Sequence, residues 1–422
     1  MWDFALSDLG KKLKYEARDY VATIDPQYIF DMDANVIKWP AEFLRGAAER
    51  KLLGPQCKPE NGGYGIGWAD YQGILEEIGT LGYIFACTYG VGAGLVPYAL
   101  ERHGTQALQD KFVKPVLTGE KFACECLTEP RGGSDFFGAS STAEDKGDHF
   151  VLNGQKRFIV GGEGADFFFV YARTNLDPNA HPHKCITAFM VERGPGVETS
   201  YIYGLMGCNG GGAARVTFTD VVVPKENIVG TLNGGYDVFN TMMVPERLGT
   251  AMMTIGTAAA ALEVATRYTT KRKQFGKNIN RFQGVSFQVA EASMLLDAAR
   301  ASCNMTARMC DDAEAKGGAG LDFVRRQISQ SKKFTTEACQ QVAKLSMQVM
   351  GGIGYTNVYP VERYVRELAL ASIWTGTSEV MSMIVASEWY KEFALKEKDR
   401  KGERDYEFDA PEFDAADEKI YE

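Results

Sequence analysis

Residues that could hold a ligand occur together in one short segment, 373–380, which reads Ile-Trp-Thr-Gly-Thr-Ser-Glu-Val. The glycine at 376 lets a chain approach a ligand closely. The hydroxyl and amide groups beside it can bond to phosphate or ribose oxygens. An ordinary turn between two helices has a similar composition. The segment alone therefore predicts either a ligand-holding turn or a simple helix connection.

Three further segments combine glycine with polar or basic residues. They are 127–135 (Leu-Thr-Glu-Pro-Arg-Gly-Gly-Ser-Asp), 271–277 (Lys-Arg-Lys-Gln-Phe-Gly-Lys) and 348–355 (Gln-Val-Met-Gly-Gly-Ile-Gly-Tyr). Each has a structural explanation, which is a turn, a basic helix C-terminus and a glycine C-cap, respectively. Each could instead offer amides, hydroxyls or the bidentate guanidinium of Arg272 to a flat polar ring and to phosphates.

The elements that must position these segments follow one another as helices, strands and helices. Residues 1–121 have helical periodicity, with helices predicted at 8–20, 41–51, 71–79 and 105–117. Residues 122–232 contain short alternating runs and predict a compact antiparallel β barrel or sandwich. Helical periodicity returns at 233–395, and 396–422 is an acidic tail that we expect to be disordered or draped on the surface. The predicted fold class is α+β.

Composition and charge exclude several classes of protein. The 422 residues are 45% hydrophobic with a net charge of -9, which indicates a soluble protein of two or three domains and argues against nucleic-acid binding. No run of about 18 apolar residues is evident, so no membrane span is expected. The N-terminus is neither a signal nor a transit peptide, which favours a bacterial cytoplasm over the mitochondrial matrix. The scattered cysteines and histidines predict reduced thiols and no metal site.

Taken together and in this order, segments 127–135, 272–276, 348–354 and 376–379 resemble the acyl-CoA dehydrogenase family. Segments 59–67, 153–156 and 223–227 also match sequence patterns typical of this family. The resemblance covers about residues 1–393. It implies an N-terminal helical domain, a middle antiparallel β barrel and a C-terminal four-helix bundle. It also implies non-covalent FAD, completed by a neighbouring subunit in a homotetramer or at least a dimer.

The resemblance implies a set of FAD-binding positions. Leu127 and Thr128 should face the pyrimidine edge of the flavin, and Ser134 should lie near the pantetheine or the FAD phosphates. The residues expected to reach the FAD of the partner subunit are Arg272, Gln274, Phe275, Gln348, Gly351 and Gly352. Gln283 matches a further cofactor position, and Thr377 and Glu379 should hold the adenosine half.

One departure from the family lies at Phe158-Ile159-Val160, where the family usually has Trp-Ile-Thr or Trp-Ile-Ser. Phe158 and Val160 therefore occupy cofactor positions without the hydroxyl that normally meets flavin N5. Valine cannot donate that hydrogen bond. We expect altered flavin tuning, and not a loss of FAD binding.

The second departure concerns the catalytic base. Many members of the family place a carboxylate just before the Gly-Thr-Ser turn, where this chain has Thr375, and a hydroxyl is far too weakly basic. Residues 244–248 resemble the Glu-Arg pair of the isovaleryl-CoA and long-chain branches, and we expect them to open the long buried helix. The resemblance thus implies Glu246 as the base. The alternative is a helix N-terminal carboxylate held by the dipole or by Arg247.

The implied reaction removes a proton from the α carbon and a hydride from the β carbon of an acyl-CoA, giving a 2,3-enoyl-CoA. We expect Ser134, Tyr236, Arg247, Thr375 and Gly376 near the substrate or CoA, and residues 82–90 along the acyl pocket. Phe85 and Tyr89 in that segment suit a branched, cyclic or aromatic-substituted acyl group. Glutaryl-CoA dehydrogenases carry an arginine where Ile84 falls, so a dicarboxylic substrate is disfavoured.

The electrons would pass to an electron-transfer flavoprotein. Three alternatives stay open at the level of sequence. An acyl-CoA oxidase would react with oxygen, although such chains are usually much longer. A reductase would run the reaction backwards. A non-catalytic FAD- and CoA-binding protein would explain the missing carboxylate at Thr375, although Glu246 argues against it.

Overall fold

Helices form the N-terminal part of the chain in the computed structural model, which describes residues 2–317 and 321–399. They are α1 (Asp8–Val21), α2 (Pro26–Asp33), α3 (Ala41–Glu49), α4 (Trp68–Gly79), α5 (Tyr83–Tyr89), α6 (Val96–His103), α7 (Gln106–Leu108) and α8 (Lys114–Leu117). The four helices predicted there fall on α1, α3, α4 and the segment from α7 to α8. Side-chain caps start several helices, as where Ser7 accepts a hydrogen bond from the Gly10 amide ahead of α1.

A wide helical turn of the π type, Gly90–Leu95, joins α5 to α6. Its glycines bring it against the first strand of the next domain, because a Cβ on Gly92 would lie 2.9 Å from the carbonyl oxygen of Ala123. Wide turns of this kind are frequent at functional sites.

The middle of the chain forms a sheet. Its strands are β1 (Ala123–Cys126), β2 (Thr142–Asp145), β3 (His149–Ile159), β4 (Phe167–Arg173), β5 (Ile186–Glu192), β6 (Val197–Ile202), β7 (Ala214–Pro224) and β8 (Ile228–Val229). Their order is β6-β7-β3-β2-β4-β5-β8, with β1 added beside β4. Most pairs are antiparallel as predicted. β1 runs parallel to β4, however, because the chain between them crosses over through β2 and β3.

The two faces of β1 and β4 point into different surroundings. Cys124 and Phe168 belong to a core inside the β domain, whereas Ala123 and Tyr171 belong to a second core shared with the helices. Alternation along the strand places Glu125 on the face of Ala123. A carboxylate side chain therefore points toward the helices.

Long helices form the C-terminal part. They are α9 (Gly235–Lys271), α10 (Gln283–Ala315), α11 (Leu321–Met350), α12 (Val361–Leu368) and α13 (Ser378–Asp399), with a small hairpin of β9 (Lys273–Gln274) and β10 (Lys277–Asn278) after α9. α9, α10 and α11 pack on one another, and α13 packs along α11, as a helical bundle requires. α4 of the N-terminal part packs against α9 and α10.

Two features differ from the sequence predictions. α13 continues to Asp399, so residues 396–399 of the predicted tail are helical, and residues 400–422 lie outside the described part of the chain. The stretches Tyr83–His103 and Gly235–Lys271 are long and apolar enough to cross a membrane by length and composition, although no such run was expected. Their apolar windows are 89% and 72% buried inside the protein, as in core helices.

Candidate active site

Glu246 lies in the interior of α9, because that helix begins at Gly235. The prediction that residues 244–248 open the helix is therefore wrong. Val238 and Met242, both buried, continue the apolar face of α9 upstream of that segment. The field of a helix dipole is felt within the first turn. A dipole-stabilised N-terminal carboxylate is thus no explanation for Glu246.

The carboxyl group of Glu246 lies at the wall of an apolar cavity. The side chain is half-buried, and its Oε2 atom is fully buried and has no hydrogen-bond partner. Burial raises the pKa of Glu246 to about 7, against the opposing effects of Arg247 and Lys332. A carboxyl group that titrates near neutral pH suits proton transfer from a weak carbon acid.

Two buried cationic side chains, Lys332 and Arg247, interact electrostatically with Glu246. Lys332 of α11 is 0% exposed and donates a hydrogen bond from Nζ to the carbonyl oxygen of Gly376, at 2.7 Å. Burial lowers the pKa of Lys332 to about 8 and that of Arg247 to about 10. Arg247 is also buried, and its Nε has no partner. The pair balances the negative charge that Glu246 acquires on ionisation.

The turn at 375–376 faces Glu246 across the cavity. Thr375 and Gly376 both have left-handed backbone conformations, with φ of +53° and +90°. Thr375 is held there although such a conformation is unfavourable for a β-branched residue. Its hydroxyl donates to the Trp374 carbonyl oxygen at 2.8 Å. Glu246 and Thr375 thus line one cavity, and the Thr375 hydroxyl is turned toward its own backbone.

The cavity between them has a volume of about 30 Å³. Its lining residues are Gln56, Trp68, Tyr71, Gly90, Val91, Gly94, Leu95, Glu246, Gly249, Thr250, Met253, Trp374 and Thr375. Glycines bring backbone close on two sides, and Trp68, Tyr71 and Trp374 supply aromatic walls. The Met253 methyl group occupies the space that a side chain on Gly90 would need.

Phe85 and Tyr89 do not line this cavity, and their contact with the acyl group stays a prediction. Both are 0% exposed. The Phe85 ring packs edge-on against Phe43 at 5.0 Å between centroids, and the Tyr89 hydroxyl donates to the Leu52 carbonyl oxygen. They lie on the face of α5 that points into the core. Of the segment 82–90, only Gly90 reaches the cavity.

A second buried carboxyl group, Glu125 of β1, interacts electrostatically with Glu246. Its Oε1 is buried without a partner, and burial followed by the charge of Glu246 raises the pKa of Glu125 well above its usual value. Glu125 therefore stays protonated where Glu246 ionises. This makes Glu125 the poorer base of the two at neutral pH.

A buried ion pair holds the loop after β1. Lys156 Nζ lies 2.8 Å from Glu129 Oε1 and donates to the carbonyl oxygens of Leu127 and Tyr171. Glu129 also accepts hydrogen bonds from the Ser140 and Ser141 amides. The neighbouring Lys156 and these donors lower the pKa of Glu129 to about 2, although burial opposes them. The loop carrying Leu127 and Thr128 is therefore firmly positioned.

The predicted flavin-edge residues lie around this loop. Leu127 and Thr128 are half-buried, and Ser134 is exposed. Phe158 has φ of +60° at an irregularity between β3 and β7, and its ring is 50% exposed beside Tyr203. Val160 is half-buried and offers only hydrocarbon. The loop and the end of β3 thus present a partly open apolar surface.

The positions expected to reach a partner's cofactor are exposed and lie outside the Glu246 cavity. They are Arg272, Gln274, Phe275, Gln348, Gly351 and Gly352, and the further cofactor position, Gln283, is also exposed and outside the cavity. Phe275 is 91% exposed at the tip of the β9–β10 hairpin, and its φ of +48° and the +76° of Gly276 make the tight turn. No atom lies within 4 Å of a Cβ built on Gly351 or Gly352. This open surface fits a flat ring and phosphates brought by another subunit.

The remaining predicted positions have local roles as well. Thr377 caps α13 by accepting a hydrogen bond from the Val380 amide at 3.2 Å, and Glu379 is exposed in the first turn. Tyr236, in the first turn of α9, stacks on His183 at 3.9 Å between centroids. Within the described residues, no group of three or more His, Cys, Asp or Glu side chains could hold a metal ion.

Comparison with known proteins decides the family. Three family models match in the order of the three structural parts: the acyl-CoA dehydrogenase N-terminal domain at residues 8–120, the middle domain at 124–221 and the C-terminal domain at 233–389. The chain belongs to the acyl-CoA dehydrogenase family. The predicted fold is confirmed by these matches. Members of the family are oxidoreductases that act on CH–CH bonds and depend on FAD.

Similar proteins within the acyl-CoA dehydrogenase family cover almost the whole chain. The caffeyl-CoA reductase-Etf complex subunit CarC of Acetobacterium woodii is 31% identical over 90% of this chain and 98% of its own. Isovaleryl-CoA dehydrogenase of Oryza sativa subsp. japonica is 32% identical over 88% of this chain and 87% of its own. The structure of butyryl-CoA dehydrogenase from Megasphaera elsdenii superposes with a TM-score of 0.84 at 28% identity, covering 91% and 99%.

Sequence interpretation did not identify three side chains of this acyl-CoA dehydrogenase that matter for the site. They are Lys332, which bonds the Gly376 turn, Lys156, which pairs with Glu129, and Tyr71, which lines the cavity. For Lys332 a signal existed. Ser329, Lys332 and Thr336 are polar residues at helical spacing on a buried face of α11. Buried polar groups of this kind require partners and so point to a site.

Proposed function

We propose that this chain is an FAD-dependent acyl-CoA dehydrogenase in which Glu246 removes the α proton of the substrate. The observation that carries the proposal is the unpartnered carboxyl group of Glu246, with its pKa raised to about 7, at the wall of an apolar cavity opposite Thr375. Bound FAD would accept the β hydrogen as a hydride. The α-carbon electron pair then forms the carbon–carbon double bond, and the product is a 2,3-enoyl-CoA.

The residues around Glu246 make the proton transfer feasible. The apolar lining excludes water, which strengthens every electrostatic interaction inside the cavity. Arg247 and Lys332 oppose the effect of burial and stabilise the ionised carboxylate. Lys332 also fixes the Gly376 carbonyl. The Thr375 amide is then available to polarise the thioester carbonyl, which stabilises the negative charge that develops on its oxygen.

We assign the cofactor contacts to the two surfaces described above. Leu127, Thr128, Phe158 and Val160 would contact the flavin within one subunit. The exposed set from Arg272 to Gly352, with Thr377 and Glu379, would contact FAD across a dimer or tetramer interface. The exposure of Phe275 and the free space at Gly351 support this assignment. The cytoplasmic location stays a prediction.

The substrate that we propose is a compact acyl-CoA with a branched, cyclic or aromatic-substituted acyl group. Trp68, Tyr71 and Trp374 form aromatic walls, and Met253 is unbranched and can adapt its shape to a ligand. The lining contains no Lys or Arg side chain among the described residues, which disfavours a dicarboxylic acyl group. Electrons would leave through an electron-transfer flavoprotein, as the name of the CarC relative indicates for that protein.

The substitution Glu246→Gln tests the proposal. We expect the variant to stay yellow and to bind acyl-CoA, but to lose turnover by about two to four orders of magnitude, the usual contribution of a general base. The matched variant is Glu125→Gln, which removes the other buried carboxyl group of the region. The assignment of the base would be refuted if Glu246→Gln turned over at close to the wild-type rate. It would also be refuted if Glu125→Gln lost the two to four orders of magnitude in turnover while Glu246→Gln did not.

A second candidate is the reverse reaction, reduction of an enoyl-CoA. The similarity to CarC, a caffeyl-CoA reductase subunit, favours it. Glu246 would then return a proton to the α carbon. Anaerobic mixing decides the direction: an acyl-CoA that bleaches the oxidised flavin supports the dehydrogenase, whereas an enoyl-CoA that restores the colour of the reduced flavin to completion supports the reductase.

A further inference from the structure

The lining of the Glu246 cavity includes a buried phenol that has no hydrogen-bond partner. Tyr71 of α4 is 3% exposed, and its hydroxyl is fully buried and unpaired. The residue lines both the Glu246 cavity and a smaller one of about 10 Å³ beside it. Unpaired buried hydroxyls are uncommon because each costs the hydration it has lost. A ligand atom that satisfies this hydroxyl would therefore bind there with some preference.

The surroundings hold the Tyr71 ring in place and leave space at its hydroxyl. Tyr89 stacks on the ring at 6.3 Å between centroids, and Trp68 packs edge-on at 6.0 Å. The space exists because residue 94 is glycine, since a Cβ there would lie 2.8 Å from the Tyr71 hydroxyl oxygen. The hydroxyl is thus fixed in direction and points to a gap in the cavity wall.

The charges around the two cavities define what the hydroxyl could bind. Burial raises the pKa of Tyr71, so the phenol stays neutral and is available as a donor. Among the described lining residues the ionisable acids are Glu246 and Glu101, and no Lys or Arg is present. Glu101 already accepts hydrogen bonds from the Lys58 amide and from Asn61. The carboxylates would repel an anionic group, whereas a neutral oxygen could accept a hydrogen bond from the Tyr71 hydroxyl.

We propose that Tyr71 forms a polar subsite that selects acyl groups carrying a neutral oxygen, such as a hydroxyl, at the end distant from the thioester. This inference rests on the proposed function. Glu246 meets the α carbon at one side of the cavity, and Tyr71 donates a hydrogen bond to the distal oxygen at the other. The small cavity that Gln56 and Cys57 line is also lined by Tyr71 and gives room for that oxygen.

Two matched pairs of thioesters test the subsite in the FAD-loaded enzyme. They are 3-phenylpropanoyl-CoA with 3-(4-hydroxyphenyl)propanoyl-CoA, and hexanoyl-CoA with 6-hydroxyhexanoyl-CoA. The measured quantity is the anaerobic rate of flavin bleaching divided by the dissociation constant. We expect the wild type to prefer the hydroxylated member of at least one pair by about 3- to 10-fold, the range for one neutral hydrogen bond.

In Tyr71→Phe that preference should fall to about 1, whereas Tyr28→Phe, a phenol on α2 outside the cavity, should keep it. A preference that survives in Tyr71→Phe overturns the subsite. Bleaching by the unsubstituted thioesters without any preference also overturns it, and shows that water satisfies Tyr71. If no thioester bleaches the flavin, the proposed function itself fails.

Discussion

At the scale of single residues, the site depends on groups whose surroundings change their acidity. Glu246 is a carboxyl group that burial keeps partly protonated, and Arg247 and Lys332 limit the size of that effect. The expected ionisation near pH 7 has consequences for both rate and stability. The two consequences have opposite signs, because ionisation activates the base and at the same time places a charge in an apolar cavity.

The rate of flavin reduction should rise with pH through about 7, since only ionised Glu246 can accept a proton. Stopped-flow bleaching between pH 5.5 and 9 would measure the midpoint. Lys332→Met removes a cation that lowers the pKa of Glu246, so the midpoint should move to higher pH. The control is Lys333→Met, a neighbour paired with Glu337 at 2.7 Å, which should leave the midpoint unchanged. An unshifted midpoint in Lys332→Met would contradict the electrostatic role.

Stability should fall as pH rises past the range in which Glu246 ionises in the unfolded chain. Folding raises its pKa from 4.5 to about 7, so the native protein binds more protons between these values. Protonated Glu246 makes its whole contribution to the free energy of unfolding below pH 4.5. This contribution, about 3 kcal/mol in total, is lost as pH rises to 7. Glu246→Gln should therefore unfold at a higher temperature than wild type at pH 8. Glu263→Gln, on the exposed face of α9, should not.

At the scale of elements, the proposed base lies inside α9, whereas the loop after β1 and the turn before α13 are held by buried polar groups. The loop after β1 depends on the Lys156–Glu129 pair, and the turn before α13 depends on Lys332. In both places a lysine that is 0% exposed binds backbone carbonyl oxygens. Such a lysine fixes loop geometry where no regular ladder of backbone hydrogen bonds is available.

Removing one partner of the buried pair should be costly. Glu129→Gln leaves Lys156 charged and unpaired in the interior, and we expect a loss of about 3 to 5 kcal/mol in the free energy of unfolding. Glu337→Gln, which breaks the exposed pair with Lys333, should cost less than about 1 kcal/mol. Urea titration measures both. Similar losses in the two variants would show that the buried pair does not hold the loop.

Sequence periodicity predicted most helices and strands, but it did not predict which groups surround each side chain. It placed α1 to within a residue of its bounds, because the amphipathic pattern of that helix is unambiguous. It placed the start of α9 too late, since Pro245 resembles the proline of a first helical turn. The family resemblance assigned Phe85 and Tyr89 to the pocket, but tertiary packing decides what the face of a helix meets, and one sequence does not reveal that packing.

At the scale of the whole molecule, part of the proposed site is built from exposed residues, which a second copy of the chain would complete. Phe275 is 91% exposed and Arg272 is exposed, and neither lines the Glu246 cavity. Aromatic and arginine side chains are enriched in interfaces. Family membership followed from sequence motifs in order along the chain, whereas the assembly could not be derived from one chain's packing.

Phe275→Ser should therefore reduce FAD retention and weaken association of subunits without unfolding the chain. The flavin-to-protein absorbance ratio and light scattering of the purified protein measure the two effects. Phe4→Ser, which changes another exposed ring at 78% exposure, is the control. Full FAD content and unchanged mass in Phe275→Ser would refute the cross-subunit assignment.

The hydrophobic core shared by the two helical parts has a further consequence. It runs from Leu13 of α1 through α4 and α9 to Ala371 and includes Phe169 and Tyr171 on one face of the sheet, whereas the other face of the sheet has a core of its own. The three segments recognisable by sequence are thus joined by one core. A fragment consisting of the C-terminal segment alone would expose the faces of α9 and α10 that α4 covers. Such a fragment should aggregate, and co-expression with the N-terminal segment should increase its soluble yield.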